Sequence, residues 1–440
     1  MASTVASTAV ILGCGLITGL ISARILEPAG RGALAAITVW ANVLLYAGTF
    51  GLPEATAYFA AADRASRPRV WTTAQVAAIA LGIIVMLIGW LLIGVVIPPD
   101  AGREDIRWFL MLFAVPCLGS LCTSSWLQGA GLVHRFNITR SSVHLVNAAG
   151  MAIVAAFGAS RVETFAAVLL IGNAAGWIVG AALSPIAEVA AAAPSVEAAR
   201  SMFRYGIRVQ LGNWSNAASV RLDQLLLSVF ASTVSLGLYV VAVTYANVLM
   251  VIPGSAALVM LPRMVRHQEE GTARECLEQW YRRVLCVTVV GGAVIAASAV
   301  YMVPLLFGNA FASAVPLVLV LVPATIVLGM NVVLSTAFRG VGRPDIASKA
   351  ELVGLVSTGA ALALLLPRYG AFGAAVASLV AYVCIHVYMT AMALTLFGSN
   401  VRALCVPTHD DLTALRRVII DARSLLARYS SARRIRAQEL

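Results

Sequence analysis

The chain has 440 residues, 60% of them hydrophobic and only 12% charged, with a formal net charge of +11. Soluble globular domains carry about 25% charged residues, which excludes a water-soluble enzyme. The apolar runs are continuous rather than alternating, which excludes a membrane barrel and leaves helices as the way to satisfy every backbone group in lipid.

A spanning helix needs about 20 predominantly apolar residues. The sequence offers twelve such stretches, at 3–25, 33–61, 71–97, 106–130, 138–158, 163–190, 204–230, 235–262, 281–307, 312–338, 346–366 and 371–398. The first has no basic lead of the kind a secretory signal carries, so it is expected to stay as a span. Arg24 sits near its far end, with Glu27 and Arg31 in the following loop. It either snorkels to the interface or faces an interior cavity. In the second stretch Thr38, Asn42, Tyr46, Thr49, Pro53 and Thr56 share one face, and Gly51-Leu52-Pro53-Glu54 interrupts the run. Such interruptions expose backbone where a cavity or ion is contacted, although a simple proline kink gives the same pattern. Glu54 is a proton carrier, an arginine partner or a solvated mouth residue.

The seventh stretch is the most polar. At about 100° per residue, Gln210, Asn213, Asn216, Arg221, Asp223, Gln224 and Ser228 fall within an arc of roughly 160°. A charge at the bilayer centre costs at least about 2.5–3.5 kcal/mol, so this face cannot meet lipid. It lines a wet cavity, or it pins the helix to a neighbour through an Arg221–Asp223 ion pair and hydrogen bonds. Arg204 and Arg208 open the stretch, either as ordinary positive-inside residues or as a basic mouth for an anionic headgroup. Beyond residue 398, Leu412 to Arg436 mixes aliphatic residues with arginines and is expected to form an interfacial helix on anionic lipid, or else a solvated tail.

With the N-terminus inside, 24 of the 31 Lys and Arg fall in cytoplasmic loops and the tail, six fall outside, and Arg221 stays in a span. The positive-inside rule therefore accounts for the basic balance without nucleic acid, and both termini are expected in the cytoplasm. An internal repeat is visible as well. Gly32-Ala33-Leu34 with Trp40-Ala41-Asn42-Val43-Leu44 parallels Gly237-Leu238-Tyr239 with Tyr245-Ala246-Asn247-Val248-Leu249, at an offset of 205. Ser124 to Gly131 parallels Ser335 to Gly342 at 211. Two ordered matches at nearly one offset argue for duplication. The expected organisation is a six-helix bundle over 1–199, a second in the same orientation over 200–398, and a basic tail over 399–440.

Catalytic signals are lacking. The five histidines are scattered, none of the seven cysteines forms a CxxC pair, and no HExxH, GxSxG or P-loop occurs. No metal, cofactor, disulfide framework or enzymatic activity is expected.

Several motifs together resemble one family. Ala23-Arg24-Ile25-Leu26-Glu27-Pro28-Ala29-Gly30-Arg31-Gly32 and Phe50-Gly51-Leu52-Pro53-Glu54-Ala55 are similar to the first loop and second helix of bacterial polysaccharide-transport flippases. Arg221-Leu222-Asp223-Gln224 with Leu236 to Ala242, Leu261-Pro262-Arg263, Leu306-Phe307-Gly308, Arg339 to Pro344 and Tyr369 to Ala375 follow in the family's order. The resemblance implies the multidrug/oligosaccharidyl-lipid/polysaccharide (MOP) exporter fold: two six-helix bundles forming a V around a cationic cavity with alternating access. The related peptidoglycan-precursor flippases carry two further helices that have no counterpart here. The implied activity is outward flipping of an undecaprenyl-diphosphate-linked oligosaccharide across the plasma membrane. Substrate would meet Arg24, Asn42, Tyr46, Arg208, Gln210, Asn213, Asn216, Arg221, Asp223 and Gln224. Glu54 and Asp223 would couple transport to H+ or Na+. Membrane lipids and polysaccharide-assembly proteins are the further partners expected. A drug or cation antiporter of the same fold is the alternative, though it calls for an acidic cavity. A membrane-embedded glycosyl- or acyltransferase would need an acid/base or metal constellation.

Overall fold

The computed structural model describes residues 2–96, 103–185, 192–406 and 408, with the side chains of 2, 3, 5, 95, 96, 103 and 211–220 outside that description. Among the described residues there are thirteen α-helices and no strand. They are α1 (Ala2–Gly48), α2 (Leu52–Ala62), α3 (Arg67–Val96), α4 (Arg103–Gly129), α5 (Val133–Ala156), α6 (Val162–Leu183), α7 (Val196–Phe230), α8 (Thr233–Ala246), α9 (Val251–Glu269), α10 (Ala273–Phe307), α11 (Val315–Gly340), α12 (Pro344–Phe397) and α13 (Val401–Cys405). Short 3-10 turns occur at Asn247–Met250 and Asn309–Ala314. Eight helical stretches are long and apolar enough to cross a membrane. The polar α5 and α7, of 24 and 35 residues, have the length to cross as well.

Two helices are too long to be single spans. At 1.5 Å per residue, the 47 residues of α1 and the 54 of α12 would reach roughly 70 and 80 Å if straight, against a hydrocarbon core of about 30 Å. Each is broken at one residue: Glu27 (φ 56°, ψ 180°) in α1 and Gly370 (φ 54°, ψ −131°) in α12. These breaks fall where the sequence separates the first span from the second and the eleventh from the twelfth. Counting both legs of each, α2 with the second leg of α1, and α9 with α8, the described helices supply the twelve crossings expected.

A second break separates α1 from α2, where Phe50 and Gly51 have φ of 46° and 68°. A Cβ on Gly51 would lie 2.2 Å from the carbonyl oxygen of Gly206 on α7, and one on Gly206 would lie 2.4 Å from that of Phe50. Only glycine permits this backbone contact. Pro53 sits in the first turn of α2, where its missing N–H is not needed. The interruption is therefore a backbone break seated on α7 and not a proline kink.

The chain divides into two compact units. The first comprises Met1–Ala246, Ser298–Leu321 and Gly354–Ala381; the second comprises Asn247–Ala297, Val322–Val353 and Tyr382–Leu440. Within the first, α1 and α8 meet at Gly32 and Gly237. A Cβ on Gly32 would lie 1.7 Å from the carbonyl oxygen of Thr233 and 2.9 Å from the amide nitrogen of Gly237. A Cβ on Gly237 would lie 2.0 Å from the carbonyl oxygen of Pro28 and 3.0 Å from the amide nitrogen of Gly32. Pro28 and Thr233, like the two glycines, are 205 residues apart. The contact is thus reciprocal, as at a two-fold axis.

The other repeated segment also folds alike in each unit. In the first, Gly131 (φ 79°) donates to the Gln128 carbonyl at 3.1 Å and Leu132 to that of Leu127 at 2.9 Å. In the second, Gly342 (φ 75°) donates to the Arg339 carbonyl at 3.2 Å and Arg343 to that of Phe338 at 2.8 Å. Both are left-handed glycine caps that satisfy the last carbonyls of a helix. The core of the second unit packs Leu277 and Tyr281 of α10 with Leu334 and Phe338 of α11 and Met389 of α12.

Candidate functional site

All the predicted site residues fall on α1, α2 and α7, in the first unit. On α7, Asp223 is buried. It accepts a short hydrogen bond from the Tyr239 hydroxyl of α8, another at 3.3 Å from Ser378 of α12, and one at 2.7 Å from the amide of Gln224. Tyr239 and Ser378 are themselves 3.2 Å apart. Three donors satisfy the buried carboxylate without a cation. Arg221 is exposed and donates to Gln224 Oε1 at 3.2 Å. Two residues apart on a helix, Arg221 and Asp223 point roughly 200° from each other, and no ion pair joins them. Gln210 is buried; it donates to the Tyr46 carbonyl at 2.7 Å and accepts from Thr49 at 3.1 Å, tying α7 to the end of α1. Ser228 accepts from the Trp40 indole at 2.9 Å. The side chains of Asn213 and Asn216 lie outside the described residues.

The remaining predicted residues are dispersed. Arg24 points at the end of α10, where Nε donates to the Leu306 carbonyl at 2.7 Å and a terminal nitrogen donates to that of Leu305. It thus caps a helix C-terminus, a favourable place for a cation. Asn42 donates to Thr38 in its own helix at 2.7 Å. Tyr46, Glu54 and Arg208 are exposed. The tail from 409 onward lies outside the described residues.

The residue that the sequence reading left in a loop is the one the fold isolates. Arg31 lines a cleft of about 190 Å³ with Gly15, Thr18, Gly19, Ser22, Leu34 and Thr38 of α1, Met151 of α5, Leu169 of α6 and Thr244 of α8. Thr18 and Ser22 come from the leg before the Glu27 break, and Arg31 and Thr38 from the leg after it. Arg31 Nε is fully buried and has no hydrogen-bond partner. Each hydroxyl around it donates to its own helix: Thr18 to Gly15, Ser22 to Thr18, Thr38 to Leu34 and Thr244 to Val240, at 2.7–2.9 Å. Their oxygens remain as acceptors. The cleft therefore presents an arginine whose Nε lacks a partner, with several hydroxyl oxygens beside it, complementary to a ligand with an anionic group and O–H donors. A signal for it was present, since Thr18, Ser22 and Arg31 flank Glu27-Pro28, but only the bend brings the two legs together.

The family model described as "Polysaccharide biosynthesis protein" matches residues 21–316, well over half the chain. The chain belongs to that family. Among solved structures, the chain is similar to the lipid II flippase MurJ in an inward closed conformation, at 10% identity and a TM-score of 0.74, over 92% of this chain and 89% of that one. It is also similar to an inward-facing multidrug resistance MATE family transporter of the MOP superfamily, at 14% identity and 0.68, over 88% and 94%. A third is a MOP superfamily transporter from Pyrococcus furiosus Vc1, described as having a binding pocket of reverse polarity, at 13% identity and 0.58, over 91% and 95%. No curated protein matches the sequence. At these identities the likeness establishes the fold, which is that of the MOP superfamily, in a multi-pass membrane protein.

Proposed function

We propose that this protein is a flippase that moves a lipid-linked oligosaccharide, with undecaprenyl diphosphate as the carrier, across the plasma membrane by alternating access. The observation that carries this reading is the buried, unpartnered Nε of Arg31 in its hydroxyl-lined cleft. A buried donor without an acceptor costs about 1–3 kcal/mol, and more when charged, so the arrangement favours an anionic ligand. Arginine suits phosphate because its planar fork stays charged and binds two oxygens at once. Sugar hydroxyls find acceptors in Thr18, Ser22, Thr38 and Thr244. Ligand pockets commonly enclose about 300–1,000 Å³, so this smaller cleft suits the phosphate end of the headgroup rather than a whole glycan. The transfer requires no covalent chemistry from the chain. Arg221, exposed beside Gln224, offers a second guanidinium on α7. Asp223 and Glu54 remain the carboxylates for coupling to H+ or Na+. A drug or cation exporter is disfavoured because no carboxylate lines the cleft among the described residues.

The test uses purified protein in proteoliposomes with a fluorescent undecaprenyl-diphosphate sugar, followed by an impermeant quencher. Hydrogen bonds to charged groups are worth about 1.5–3 kcal/mol, so Arg31→Ala should slow transfer about 10- to 100-fold. Arg31→Lys should recover part of the rate. Normal transfer by a well-inserted Arg31→Ala protein would remove the basis for the proposal.

A further inference from the structure

His386 lies on the second leg of α12, inside the second unit. Its Nδ1 is 2.8 Å from Oδ1 of Asn331 on α11, and its Nε2 is 2.9 Å from the Tyr281 hydroxyl on α10. The Thr390 hydroxyl, one turn further along α12, stands 3.4 Å from Nε2. The far end of this row fixes the tautomer. Asn331 Nδ2 donates to the Tyr382 carbonyl at 3.0 Å, so the amide oxygen faces the imidazole and can only accept. Nδ1 therefore carries the hydrogen, and Nε2 accepts from Tyr281. The result is one directed row across three helices, from the Tyr281 hydroxyl through His386 and Asn331 to a backbone carbonyl.

What separates this from a histidine that only ties helices together is the chemistry at Nε2. Both groups there are hydroxyls, and a hydroxyl donates or accepts as needed. A proton arriving from water at Nε2 makes that nitrogen a donor. Tyr281 then turns its O–H away and accepts, while the Nδ1–H bond to Asn331 persists. Neutral imidazole and imidazolium are both satisfied without movement of heavy atoms. Several charged groups on α10 and α11 are engaged elsewhere. Glu278, one turn before Tyr281 on α10, pairs with Arg274 at 2.9 Å and Arg282 at 3.9 Å, and accepts from Ser399 at 2.6 Å. Arg282 also donates to the Ala403 carbonyl at 2.5 Å. On α11, Arg339 lies two turns beyond Asn331 and donates to Ser335 at 3.0 Å. No carboxylate holds the imidazolium permanently and no free cation faces the ring among these groups. An ionisable side chain among membrane helices, where leucine inserts more easily, also calls for a role.

We propose that His386 is a reversible proton-binding site, loaded at Nε2 as Tyr281 reverses its hydrogen bond, and that its protonation links the transport cycle to pH. The full-length protein, with ¹⁵N-labelled histidine, is placed in lipid nanodiscs and titrated from about pH 8 to about pH 5, the range over which histidine ordinarily changes charge. His386→Gln assigns the signal among the five histidines. Nε2 of His386 should pass from unprotonated to protonated within this range; a signal that stays neutral throughout overturns the proposal. Asn331→Asp puts a carboxylate at Nδ1 and should raise the midpoint by about one unit or more; an unmoved midpoint contradicts the geometry. In proteoliposomes, glutamine at 386 can still donate and accept but cannot titrate. His386→Gln should therefore flatten the pH dependence of lipid-sugar transfer, and a wild-type pH profile would break the link to transport. The titration needs no substrate, so it stands or falls independently of the Arg31 experiment.

Discussion

Replacing Gly32 with alanine puts a methyl group 1.7 Å from the Thr233 carbonyl oxygen. Carbon and carbonyl oxygen settle at about 3.3 Å, so α1 and α8 would have to part by about 1.6 Å. The same arithmetic for Gly237→Ala, at 2.0 Å from the Pro28 oxygen, gives about 1.3 Å. The obstructing atoms are backbone on both sides, so no side chain can turn aside. Overpacking of this kind costs about 1–3 kcal/mol. Gly13→Ala is the control, because its Cβ would meet nothing within 4 Å and the change gains up to about 1 kcal/mol of helix propensity. Thermal unfolding of purified protein in detergent should show a lower Tm for Gly32→Ala and for Gly237→Ala, and none for Gly13→Ala. The double substitution should lose less than the sum, because the first methyl already opens the gap that the second needs. A Gly32→Ala protein as stable as wild type would refute the close contact, and strictly additive losses would refute its reciprocity.

Two further outcomes are expected. Tyr239→Phe removes a donor from buried Asp223 and should destabilise the protein by about 1–3 kcal/mol; adding Asp223→Asn should restore part of that by removing the charge, as read by thermal unfolding. For topology, tags near Ser232 and Asn309 should be labelled from outside intact cells, and tags near Arg67, Thr272 and the C-terminus should not. A C-terminus labelled from outside would overturn the positive-inside assignment.

The crossings were legible because apolar length is a local property, and so were the breaks at Glu27-Pro28 and Gly51. The repeat was legible as an offset, and it proved informative twice: in the Gly131 and Gly342 caps and in the Gly32–Gly237 contact. The destinations of the polar side chains were not legible. Arg24 reaches carbonyls more than 280 positions away, a distance no local pattern encodes. The Arg221–Asp223 ion pair, one of the two readings of the polar face, neglected that residues two apart on a helix diverge. His386 looked isolated because its partners Asn331 and Tyr281 are 55 and 105 residues distant. Arg31 was read with the loop charges, although α1 continues helically past it and folds it back over Thr18 and Ser22.

The bend at Glu27 reaches beyond chain direction. Proline disfavours the helical conformation in the residue before it, so the dipeptide Glu27-Pro28 fixes where the bend falls. No loop intervenes, and within each leg hydrogen bonding holds the backbone. The angle between the two membrane crossings therefore rests on little more than the two soft torsions of one residue. Thr18 and Ser22 ride on one arm, Arg31 and Thr38 on the other. A guest that draws these walls together must turn the joint, and the joint has no slack in which to lose that turn. Occupancy of the cleft and the tilt of the first two crossings are, by this construction, a single degree of freedom.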